Sequence, residues 1–146
     1  MKYALLTGRI LFSLIFISSG FFLFSKDAVM QAALKQVPMP DVLVPLAGIK
    51  AIAGGLSIAF GFKAKAGAWM LVLFLVPVTF YMHNFWSGAG SLPIQAQMAA
   101  FMKNFALIGT ALLVTHFGSG SFSLDTAVKS HISKCKRHHT LAKAEN

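Results

Sequence analysis

Four apolar stretches divide the chain, each close to the ~20 residues a helix needs to cross a ~30 Å hydrocarbon layer. They run from about Tyr3 to Phe24, Val42 to Phe62, Ala66 to Trp86 and Ala99 to Phe117. Polar interruptions are few: Arg9 in the first, Lys50 in the second and Lys103 near the start of the fourth. The third carries no charge. The pattern predicts an all-α fold, a bundle of four transmembrane helices.

The connections carry their own signals. In DAVMQAALKQV, Met30, Ala33, Leu34 and Val37 recur at helical spacing. A short interfacial helix is therefore expected on the outer surface, with Asp27 as its cap and Pro38-Met39-Pro40 as its stop. Gly61 to Lys65 reads as a tight turn, and SGAGSLP as a second outer loop. After the fourth stretch GSGSFSLD leads into a tail where Val128, Ile132 and Cys135 repeat at i, i+4 and i+7 among lysines. That is the pattern of a basic amphipathic helix lying on a membrane, with Asp125 as its N-cap. Residues 1–125 thus form a membrane domain and 126–146 a basic tail.

Composition agrees with lipid as the solvent. Of 146 residues, 56% are hydrophobic and only 12% charged, against about 25% charged in a soluble domain. The net charge of +9 does not point to nucleic acid, because the basic residues form no groove between aromatics. They gather at the ends of the apolar stretches and in the tail, which suits anionic headgroups, so membrane lipids are the expected partners. A single cysteine, Cys135, excludes an internal disulfide and any paired-thiol redox chemistry within the chain.

The first stretch has the basic start (Lys2) and apolar middle of a signal peptide. Arg9 interrupts it, the run is too long, and no A-x-A site follows, so an uncleaved first span is expected. Basic residues then orient the whole. With the N-terminus cytoplasmic, the inside holds Lys2, Arg9, Lys63, Lys65, Lys129, Lys134, Lys136, Arg137 and Lys143, the outside only Lys26 and Lys35. Nine against two predicts both termini in the cytoplasm of a bacterial inner membrane.

Ionisable residues within spans are costly, so their positions carry information. Lys50 shares a helical face with Gly54, Ser57 and Gly61, a stripe on which another helix packs closely. The reading preferred here is that Lys50 points into the bundle. The alternative is that it snorkels to the outer headgroups from about 12 Å beyond Val42. The third stretch ends in FYMHNFW, where Tyr81 and Trp86 suit an aromatic belt. Topology brings Ser19 (with Ser18), Lys50, His83, Asn84, Lys103 and Asn104 to one outer level. If they converge, the pocket is cationic, with no carboxylate in the spans. Such a pocket accepts an anion, a lipid phosphate or the carbonyl oxygens of a quinone. The plainer alternative is a set of interfacial anchors in contact with water. Arg9 and Asp125 meet at the cytoplasmic boundary and are expected to pair, fastening GSGSFSLD to the first span.

Metal and haem chemistry find no pattern. His83 and His116 lie at opposite ends of their helices, about 25 Å apart in depth, so they cannot share an iron. The tail's His131, His138 and His139 lack a cysteine or acid pattern to complete a site. No metal or covalent cofactor is expected, and a quinone is the cofactor the pocket admits.

In order along the chain, GRILFSLIFISSGFFLF, GGLSIAFGFKAKAGA, FYMHNFW, QMAAFMKNFALIG and GSGSFSLD resemble the DoxX family. The likeness covers about Met1 to Asp125. It implies a four-helix membrane fold. It also implies kinship with membrane subunits of sulfur-compound:quinone oxidoreductases or of oxidant-defence complexes, alongside relatives of no assigned activity. The family commonly has an acidic residue in the second span near Lys50, so acid-dependent chemistry is not carried over. Two classes of function stay open. One is the membrane subunit of a redox assembly, working with a partner protein or a diffusible quinone. The other is a non-enzymatic protein: a small transporter, dimeric or larger, a lipid binder or an assembly factor.

Overall fold

The computed structural model describes residues 2–83, 93–120, 123–126 and 128. Five helices follow one another: α1 Lys2–Phe22, α2 Lys26–Leu34, α3 Pro40–Phe60, α4 Ala64–Met82 and α5 Ile94–Phe117. Four of them, α1, α3, α4 and α5, are long and apolar enough to cross a membrane. Their outward surface is apolar: Leu5 is 65% exposed, Leu73 70% and Phe105 59%. Such a surface is stable against lipid and not against water. The expected short helix is present as α2.

Local chemistry explains the boundaries. Ser25 caps α2, its Oγ accepting from the Ala28 amide at 3.2 Å. The cap is therefore Ser25 and not Asp27, which sits in the first turn, where its charge complements the helix dipole. The helix ends before Gln36, which takes a positive φ of 56°. Pro40 then opens α3 at the first helical position, where its missing N–H costs nothing. At the far end of α3, the Phe62 amide donates to Ser57 O at 3.0 Å and the Gly61 amide to Ile58 O at 3.1 Å. With Gly61 at φ 66°, this is a Schellman closure. Ser57 Oγ also donates to Phe62 O at 2.6 Å, and α4 starts at Ala64.

The helix α5 begins at Ile94, five residues before the Ala99 expected from hydropathy. Gln95 and Gln97 lower the local hydropathy, yet Gln97 is buried. Lys103 consequently lies well inside α5 and not near its start.

Packing proceeds pairwise: α1 on α3, α3 on α4, α4 on α5, with α2 against α3. Among the described residues, α1 and α5 make no comparably extensive contact. Glycines set the close approaches. Gly48 and Gly55 of α3 face α1, where the Gly55 Cβ position lies 3.2 Å from Ser13 O. Gly54 faces α4, its Cβ position 3.1 Å from Gly67 O. Adjacent glycines thus serve opposite interfaces, so α3 is the central wall. The core between the helices holds Phe12, Phe16, Ile58, Leu71, Leu75 and Ala111, with the Phe12 and Phe16 rings edge-on at 5.0 Å.

At the end of the bundle bearing the α3–α4 turn, the segment after α5 forms a clasp. The Asp125 amide donates to Gly61 O at 3.1 Å, and its Oδ1 accepts from the Lys63 amide at 3.0 Å. Ser123 Oγ accepts from the Thr126 amide at 3.2 Å, so Ser123 performs the capping role expected of Asp125. The basic helix predicted beyond Val128 lies outside the described residues.

Candidate functional site

Toward the opposite end, α2, α3 and α4 enclose a lateral cavity of about 360 Å³. Below it α3 and α4 touch at Gly54 and Gly67. Pro45 of α3 and Pro77 of α4 lie in the cavity half, where each removes an intrahelical hydrogen bond. Most of the wall is aliphatic or aromatic, including Leu23, Val44, Phe74 and Val78. The polar side chains on it are Lys50, Gln31 of α2 and Tyr81 of α4; no carboxylate is among the lining residues.

Lys50 stands midway between the ends of α3, Pro40 and Phe60, about 15 Å of helix from each. A four-carbon stem spans only part of that length. Nor is Lys50 buried between helices: it is exposed on the cavity wall. Among the described residues it has no hydrogen-bond or ion-pair partner. A cation at the bilayer centre costs several kcal/mol unless something solvates it.

The other candidates fall in several places. Ser19 is exposed on α1. His83 is the C-cap residue of α4, half-buried, with Nδ1 buried and meeting no hydrogen-bond partner among the described residues. Its pKa is pushed below the ordinary 6.5, first by burial, then by the charges of Lys103 and Lys35. Lys103 is exposed while Asn104 is buried, and Asn84 lies outside the described residues. His83 and Lys103 are therefore close enough to act on each other, while among the five described candidates Lys50 alone lines the cavity. Tyr81, read as a belt residue, lines the cavity as well. Gln31 escaped the sequence reading; its only signal was a polar side chain beside the buried Ala28 and Ala32 of α2.

At the clasped end, Arg9 donates through Nη2 to Ala59 O at 3.2 Å and through Nη1 to Ser119 O. Arg9 and Asp125 thus both fasten the segment after α5 to the end of α3 and its turn.

Four helices long and apolar enough to cross a bilayer define a polytopic membrane protein. The DoxX family matches residues 4–84, and inner membrane protein YqjF of Escherichia coli (strain K12) is 32% identical over 121 residues, 82% of this chain and 88% of that protein. The chain belongs to the DoxX family and is a multi-pass inner membrane protein. No solved structure matches it.

Proposed function

We propose that this protein is the membrane subunit of a redox assembly and holds a quinone in the α2–α3–α4 cavity. The observation that supports the reading is Lys50, a partnerless cation at the centre of α3 on an otherwise apolar wall. A quinone has the complementary build, an apolar body carrying carbonyl oxygens that accept hydrogen bonds. Lys50 donates to one carbonyl, and Tyr81 and Gln31 orient the ring. A cavity of about 360 Å³ holds the head and the first part of a chain, the remainder lying among lipid tails. The electron donor is a partner protein, and the nine-to-two distribution of basic residues supports cytoplasmic termini.

The apolar character of the same wall favours a second reading, a lipid-binding or assembly protein without redox chemistry. Extraction of the purified protein and mass spectrometry of what it carries separates the two. Bound quinone that is lost in Lys50→Met supports the first. Phospholipid alone in the wild type, with no quinone after incubation with a short-chain ubiquinone, overturns it.

A further inference from the structure

A second group of polar side chains gathers at the end of α4, outside the cavity. Met82 packs into the cluster formed by Ala28, Ala32 and Val44, which Val37 also joins. That contact brings the end of α2, with Lys35 as its C-cap residue, to the end of α4, where His83 is the C-cap residue. From the other side, the rings of Phe80 and Phe101 lie 6.0 Å apart and fix the register of α5 on α4. Lys103 then starts about 8 Å of helix below the level of His83, and its charge acts on the imidazole. Three separate segments deliver three basic side chains to one place.

The charges that act on His83 are those of Lys103 and Lys35; no carboxylate is among them. The His83 Nδ1 atom is buried and has no hydrogen-bond partner among the described residues. An anion placed beside His83 is attracted by both charges and can accept a hydrogen bond from the imidazole.

We propose that Lys35, His83 and Lys103 form a binding site for a phosphate-bearing anion at the membrane-surface end of α4. The two ammonium groups supply charge and the imidazole supplies a directed donor, a combination matched by a phosphodiester. The position at the end of a span is where the headgroup of an anionic phospholipid lies. The site is independent of the Lys50 cavity.

The full chain, purified in detergent, is equilibrated with mixed micelles of phosphatidylglycerol and phosphatidylcholine, and retained lipid is read by native mass spectrometry. Preferential retention of phosphatidylglycerol is expected, falling about five-fold for each of Lys103→Gln and Lys35→Gln. Lys35 lies outside the spans, so its variant reports even where Lys103→Gln fails to fold. Lys50→Gln leaves this preference unchanged while the quinone is lost. Displacement of the lipid by inorganic phosphate, with a shift of the His83 imidazole resonances, assigns the site to free phosphate as well as headgroup. Equal retention of both lipids with no imidazole response to inorganic phosphate overturns the proposal. So does a preference that disappears only in Lys50→Gln.

Discussion

Gly20 of α1 and Gly48 of α3 hold two helix backbones in contact. A Cβ built on either would lie 2.9 Å from the carbonyl oxygen of the other. Seven residues along each helix, Ser13 O lies 3.2 Å from the Cβ position of Gly55, so small residues meet at both ends of this interface. In lipid, where apolar burial drives no association, such backbone proximity supplies the dispersion contact that holds helices together.

Gly48→Ala is therefore expected to destabilise the protein by about 1–3 kcal/mol, because backbone on both sides must move. Gly109 has nothing within 4 Å of its Cβ position, and Gly109→Ala is expected to stabilise α5 by up to about 1 kcal/mol. Thermal unfolding of the two variants in one detergent checks the contrast. Equal midpoints would show that the α1–α3 approach is not tight.

The clasp makes a different demand. Gly61 needs its positive φ, and its Cβ position lies 2.5 Å from Ser123 Cβ and 2.9 Å from Arg9 Nη1. Gly61→Ala should release the segment after α5 and leave it open to protease. Asp125→Ala should cost about 1–2 kcal/mol through the orphaned Lys63 amide. Asp125→Asn keeps an oxygen for that amide but loses the charge, so its cost measures any attraction between Asp125 and Arg9. A silent Asp125→Ala would remove the residue from the clasp.

For His83 the sign of the pH dependence is fixed by its environment. Burial, then Lys103, then Lys35 hold its pKa below the unfolded value of 6.5. The folded state thus prefers the neutral ring. This contribution is complete above pH 6.5 and is lost as pH falls below it toward the folded pKa. Melting temperature should decline on acidification in that window, and the decline should shrink in His83→Gln. An anion at Lys35 and Lys103 would raise the folded pKa toward the unfolded value and so shrink the loss.

How much of this was legible in the chain depends on what each feature answers to. Spans and turns answer to hydropathy and to glycine and proline, so four crossings, α2 and the α3–α4 turn could be read directly. Caps answer to single hydrogen bonds: Ser25 and Asp27 are both competent, and only the backbone decides for Ser25. The start of α5 was obscured by Gln97, whose polarity argues for a loop although the side chain is buried. Lys50 was visible as an anomaly. Its midplane depth follows from Pro40 being the first residue of α3, and its cavity from α2 and Pro77, which no periodicity reports.

Sidedness has a built-in reporter. Cys135 is the single cysteine and lies in the basic tail. With the tail in the cytoplasm, a membrane-impermeant maleimide should leave intact spheroplasts unlabelled and should label inverted vesicles. The reverse pattern would invert the topology.

The bundle is fastened unevenly. Arg9, Gly61, Ser119 and Asp125 lace the start of the first helix, the central turn and the exit of the last into one knot. No lacing of that kind joins the far ends of α1 and α5 among the described residues. Like tongs riveted at one tip, the bundle has its cross-chain fastening at one end and its cavity toward the other.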